Sequence, residues 1–245
     1  NYFDFNNIER IEVLKGPQGT LFGRNATGGV IQVITKDPGD SLDADFSFGY
    51  ANYERVTANG YISVPLTDSL GFNVATLYSN QSEGYGENLA LDRDNPGFRD
   101  FGVRGKLLFE PGDRTQFRLT GDYSHNVGPA IQAQPVPGAI NAAGQGYPGR
   151  FNTLDNWPSE SNVRSRGASL RVDQDLDVVQ LTSITAYRKT DGFWRFDQDL
   201  SPVPIVNARV DQYGRMFTQE VHIGSPSSSP VQWVAGAFYY RYKAR

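Results

Sequence analysis

From residue 41 onward apolar and polar side chains alternate with a period of two, and clusters of turn residues interrupt the alternation at short intervals. Successive side chains of a strand point to opposite faces, so this texture predicts antiparallel β-structure with one apolar and one polar face. Leu42, Ala44, Phe46, Phe48 and Tyr50 oppose Asp43, Asp45, Ser47 and Gly49; Val56, Ala58, Ile62 and Val64 oppose Arg55, Thr57, Asn59 and Ser63. Phe101, Val103, Leu107 and Phe109 stand against Arg104, Lys106 and Glu110, and Phe117, Leu119 and Tyr123 against Gln116, Arg118, Thr120 and Asp122. The pattern predicts nine strands, at 41–50, 53–65, 70–83, 99–110, 115–126, 162–173, 178–192, 213–224 and 231–242. In the third, sixth and seventh the alternation is blurred, and Gly71, Ala75, Leu77, Ile184 and Ala186 leave either face open.

The connections carry a second signal. Those at 65–69, 111–113, 174–177 and 225–230 are tight, while 84–98, 127–161 and 193–212 are long and rich in Gly, Pro, Asn and aromatic residues; only 51–52 is short where a long one is expected. A membrane barrel has short turns at one end and long loops at the other. Alternation alone fits a soluble sandwich as well. In a barrel Arg104, Lys106 and Arg118 face the interior, since each basic side chain turned to lipid at mid-depth would cost ~2–4 kcal/mol. Tyr50, Tyr53, Trp233, Tyr239, Tyr240 and Tyr242 fall at strand ends, where interfacial belts place aromatics, although aromatics are good strand formers anyway.

Composition narrows the function classes. No apolar run approaches the ~18 residues that a membrane-spanning helix requires. A formal net charge of −4 gives no basic footprint for nucleic acid, and zero cysteines leave no disulfide or thiolate metal site. His125 and His222 lack metal-ligand spacing, and the stretch from Asp92 lacks the acidic twelfth residue of a calcium loop, where Val103 stands. No nucleophile elbow or zinc-protease helix occurs, so the sequence points to no enzyme and to no cofactor.

Residues 8–36 read differently. Ile11 and Val13 alternate with Arg10 and Glu12 as a strand, Gly16-Pro17-Gln18-Gly19 turns, and Gly28-Gly29 precedes the β-branched run Val30-Ile31-Gln32-Val33-Ile34. The glycines lack both the Gly-Lys-Ser/Thr ending of a phosphate loop and dinucleotide spacing. Ile8 to Gly19, then Leu21-Phe22-Gly23, then Gly28-Gly29-Val30-Ile31 running to Thr35-Lys36, resemble the closing segment of the plug domain of TonB-dependent outer-membrane receptors. Leu181 to Arg188, Gln219 to Ile223 and Trp233 to Tyr239 are similar, less specifically, to barrel strands of iron-complex receptors.

The resemblance implies a membrane all-β protein: residues 1–37 as the C-terminal part of an α/β plug, and 38–245 as the N-terminal part of an antiparallel transmembrane β-barrel, nine strands of 22. It implies an internal fragment, because nine strands cannot close a barrel around a plug. Active import of a scarce nutrient, a ferric siderophore or related iron complex, follows by the same resemblance. The partners would be the TonB complex, whose contact box is not in this chain, and outer-membrane lipid; the location would be the bacterial outer membrane. Arg10, Glu12, Lys15 and Arg24 correspond to plug residues that contact the barrel wall. Tyr147, Arg150 and Trp157 in one long loop, and Trp194 and Arg195 in another, are the ligand-binding candidates, since aromatic and basic groups suit a ferric chelate. The rival readings are a soluble extracellular β-rich binding module and a passive porin-like channel.

Overall fold

A computed structural model describes residues 7–17, 27–131, 133 and 135–245. Strands β1 (Ile8–Lys15) and β2 (Gly29–Thr35) form a separate antiparallel pair. The other nine are β3 (Asp43–Ala51), β4 (Arg55–Thr67), β5 (Leu70–Asn88), β6 (Arg93–Gly112), β7 (Thr115–Gly128), β8 (Glu160–Asp175), β9 (Gln180–Asp197), β10 (Asn207–Gly224) and β11 (Val234–Ala244). They form one antiparallel sheet in which each strand pairs with the next in sequence. Edges lie at β3 and β11, and the sheet does not close among the described residues. No helix occurs in that set either, so the expected α/β character of the first segment has only its β part there.

All nine sequence-predicted barrel strands are present, and the register settles the faces left open. Tyr61 pairs with Ala75, Asn73 with Lys106, and Arg118 with Arg171, so these share the face that receives residues 35–39. We call that face inward. Asn73, Ala75, Leu77, Ser79 and Gln81 of β5 share it by alternation, with Phe72, Val74 and Tyr78 on the outward side. Only five buried hydrophobic residues occur among those described, Tyr61, Ala75, Leu77, Leu108 and Leu154, whereas Phe46 and Phe48 on the outward face stay 75% and 77% exposed. A soluble sandwich would cover its apolar face with a second sheet. Here the apolar side is bare and the polar side takes the contacts, which is the order that lipid requires.

Two long loops contract to turns. The stretch 84–98 is mostly hairpin, with only 89–92 between β5 and β6, and 193–212 leaves only 198–206 between β9 and β10. Beyond the apolar band both faces meet water, so ladder hydrogen bonds continue where no alternation announces them. Only 129–159, between β7 and β8, is a long connection. Trp233, expected in the last strand, lies in the preceding turn, where its amide donates to Ser225 Oγ at 3.0 Å and its carbonyl accepts from the Ser225 amide at 2.9 Å.

Candidate functional site

Residues 36–42 run from β2 to β3, and side chains of four neighbouring strands hold this tether. Lys106 Nζ on β6 donates to the carbonyls of Thr35 and Lys36, both at 2.9 Å, and to Asp37 Oδ1 at 2.7 Å, which uses all three ammonium donors. Arg118 on β7 forks onto the same carboxylate, Nε to Oδ1 at 3.1 Å and Nη2 to Oδ2 at 2.6 Å. On β5, Asn73 Nδ2 donates to the Lys36 carbonyl at 3.0 Å; on β4, Ser63 Oγ accepts from the Gly39 amide at 3.0 Å. The Lys36 ammonium sits 5.0 Å from the Tyr61 ring centroid. Burial alone would push the Asp37 carboxyl up, but the bonds from Lys106 and Arg118 outweigh it and hold it below the usual carboxylate range. Gly71 completes the seat, since a Cβ there would meet Pro38 Cβ at 2.7 Å.

Sequence reasoning placed Lys106 and Arg118 inward but read Asp37 as part of a turn. The signal available was an acid beside Pro38 within reach of two cations that lipid cannot accept. The barrel-contact candidates fall elsewhere. Arg10 pairs within β1, with Glu9 at 2.5 Å and Glu12 at 2.7 Å; Lys15 closes the same strand opposite Gly29, and Arg24 lies outside the described residues.

At the other end of the sheet, loop 129–159 is bound into place by amide side chains. Residue 153 joins the end of β5: its amide donates to the Glu87 carbonyl, and its carbonyl accepts from Leu89, both at 2.9 Å. Asn95 Nδ2 donates to the carbonyls of Tyr85 and Phe151, and Asn88 Nδ2 to that of Asp155. Asn156 donates from its amide and its Nδ2 to Asp197 Oδ2, both at 2.9 Å, while Asn141 Nδ2 reaches the Leu200 carbonyl. Gly86 (φ +71°) lets the Phe151 backbone pass; a Cβ there would lie 2.4 Å from its oxygen. Asp155 is 5% exposed, and its Oδ1 has no hydrogen-bond partner. Burial first, then the charges of Asp197 and Asp199, push its carboxyl up to about 7.

The five ligand candidates do not converge on one point. Trp157 and Arg195 meet, with the guanidinium 5.8 Å from the indole centroid and ion-paired to Glu160. Trp194 precedes Arg195 on β9 and therefore takes the opposite, inward face. Arg150 lies over Phe151, which neighbours Tyr85 and through it Tyr53, while Tyr147 is 39% exposed. A groove of about 330 Å³ between Arg93, Pro96, Val127, Pro158 and Glu160 is lined by none of the five.

A plug-side strand pair tethered to an all-next-neighbour sheet with a bare apolar exterior defines a class, a stoppered outer-membrane barrel. Comparison with known proteins agrees. The family described as TonB-dependent Receptor Plug Domain matches residues 1–30. An iron-regulated outer membrane virulence protein of Vibrio cholerae is 27% identical over 164 residues, covering 64% of this chain and 23% of its own length. The pesticin receptor of Yersinia enterocolitica is 30% identical over 109 residues, 44% of this chain and 16% of the receptor. The crystal structure of the ferric yersiniabactin uptake receptor FyuA from Yersinia pestis superposes with a TM-score of 0.80 at 17% identity, covering 97% of this chain and 36% of that one. The resemblance carried by residues 8–36 is thereby borne out, and the fold is that of the barrel wall of TonB-dependent outer-membrane receptors. The chain spans about a quarter or less of the length of these two curated relatives.

Proposed function

We propose that the protein imports a scarce nutrient actively across the bacterial outer membrane, with residues 1–37 completing a plug and 38–245 opening the barrel. A ferric siderophore or related iron complex is the cargo that the relatives favour, since one is named for iron regulation and another for ferric yersiniabactin uptake. Energy would come from the TonB complex. The observation that carries this reading is the tether: four wall strands spend Lys106, Arg118, Asn73 and Ser63 on holding the segment that follows β2. A passive channel has no use for such a hold. Water in the lumen can replace each of these contacts, so the attachment is firm yet breakable under load. Arg10, Glu12, Lys15 and Arg24 are proposed to meet the remaining wall, and Tyr147, Arg150, Trp157, Trp194 and Arg195 to offer cargo contacts around the outer rim rather than at one point.

The test is growth and uptake with ferric siderophores, haem, cobalamin and oligosaccharides, in cells with and without the intact protein. Energy coupling is intact in one arm and abolished in the other. Uptake of an iron chelate that needs both the protein and the coupling supports active import. Uptake that persists without coupling would instead establish a passive channel, and recovery of the folded protein from lysate without detergent would establish a soluble module.

A further inference from the structure

The outward face changes character at one level of the sheet. Reading across strands by register, Leu119, Leu170, Thr185, Gln219 and Tyr239 lie on one level, and Gly121, Ala168, Tyr187, Phe217 and Arg241 on the next outward level. The level beyond is Tyr123, Arg166, Lys189, Arg215 and Lys243. Four adjacent strands thus place four cations side by side, with Arg241 just below and Arg164 just above. Like charges directly opposite one another destabilise a sheet. The acid nearest the row on this face, Asp191, is held by Lys189 at 2.8 Å, and no ion pair to Arg166, Arg215 or Lys243 occurs among the described residues. Lys189 and Arg215 also lie over the Tyr213 ring, at 5.4 and 5.0 Å from its centroid, which sets their heads side by side.

The depth is informative. Eight residues separate the Thr115–Gln174 turn pair from the Tyr123–Arg166 level. At the rise of a tilted strand that is about 20 Å along the membrane normal, near the outer border of the ~25 Å apolar band of an outer-membrane barrel. Adjacent strands lie ~4.8 Å apart, so the row is about 14 Å wide, room for a headgroup with more than one phosphate.

We propose that Arg166, Lys189, Arg215 and Lys243 form a binding site for the phosphates of an anionic glycolipid headgroup in the outer leaflet. The site rests on the outer-membrane reading above. A bound polyanion relieves the repulsion along the row, and the acyl chains lie against Leu170, Tyr187 and Phe217 beneath it.

The test uses the full-length protein in phosphatidylcholine vesicles doped with a bis-phosphorylated, acylated glucosamine disaccharide lipid or with its dephosphorylated counterpart. Lipid retained per protein is counted after detergent exchange, with inorganic phosphate as a competitor. Retention of the phosphorylated lipid alone, undisplaced by free phosphate, is expected. A variant carrying R166Q, K189Q, R215Q and K243Q should lose on the order of a hundredfold of that preference. Equal retention of both lipids by the unaltered protein overturns the site whether or not the variant folds. A folded variant that keeps the preference overturns it too, and R166Q or K243Q alone serves if the fourfold change fails to fold. Protein that enters the vesicles but shows no phosphate preference sinks this inference only; protein that does not enter them sinks the outer-membrane reading as well.

Discussion

The two ends of the sheet are held by opposite chemistries. At the tether, formal charges dominate: Lys106 and Arg118 converge on one carboxylate and two carbonyls. At the outer loop, neutral amides of Asn88, Asn95, Asn141 and Asn156 hold backbone groups, and the one buried acid, Asp155, is left without a partner on Oδ1. Charged bonds are the stronger and the more exposed to competition when water enters; neutral amide bonds are each weaker and act by number. The tether is therefore a joint that lets go as a unit. The loop frays bond by bond.

The largest effect should come from Lys106→Met, which strips the donor from three acceptors and leaves Asp37 with Arg118 alone. Loss of a partner from a buried charged cluster costs about 2–4 kcal/mol. Hydrogen exchange of residues 29–42 should accelerate accordingly while the outer loop stays protected, and unchanged exchange there would sink the joint. Next comes Gly86→Ala, which places a side chain at φ +71° against the Phe151 carbonyl oxygen. About 1–3 kcal/mol of strain is expected, read as faster exchange and easier proteolysis at 147–156 with the tether untouched.

The two regions should also answer pH with opposite sign. Asp155 has a carboxyl pushed up to about 7, so its contribution is complete below the ordinary carboxylate range near pH 4 and is lost as pH rises through 7. Asp37 is held below its ordinary range, so its contribution is present above about pH 4 and lost only as the medium becomes more acid. Between pH 5 and 7.5 the loop should loosen by about 1–2 kcal/mol on going up, while the tether stays constant. Asp155→Asn should flatten the loop's profile. A loop whose exchange is level across that range in the unaltered protein would remove the asymmetry.

Much of the fold was legible because lipid enforces alternation. Phe46 and Phe48 against Asp45 and Ser47, or Phe117 and Leu119 against Arg118 and Thr120, state both the strand and its faces. Where the enforcement stops, so did the reading. Residues 84–98 and 193–212 look like loops because water on both sides leaves Gly, Pro and Asn free to appear, yet they carry ladder bonds. In β5 the inward Ala75 and Leu77 blur the pattern because they pack beside Tyr61 instead of facing water. The tether stayed hidden for another reason: Asp37 meets Lys106 and Arg118 across 69 and 81 residues, and no local spacing encodes such a meeting. The plug segment was readable only through its ordered resemblance.

The smallest expected effect bears on residues that resemblance alone singled out. Arg10 binds Glu9 and Glu12 on its own strand, all three well exposed, and Arg10 is raised above its ordinary value first by the hydrogen bond to Glu12. Pairs of this kind contribute little, because solvent screens the attraction and ordering two long side chains offsets it. If β1 is held to the barrel only through the tether, Arg10→Gln should leave exchange at 29–42 and uptake of the iron chelate unchanged, in contrast to Lys106→Met. If Arg10 instead turns to wall strands beyond β11 in the full barrel, the same substitution should free β1 without disturbing residues 36–40. Exchange measured on β1 and on the tether in one experiment separates the two outcomes, and a faster β1 with a protected tether would mean that the strand pair has a second, independent lock.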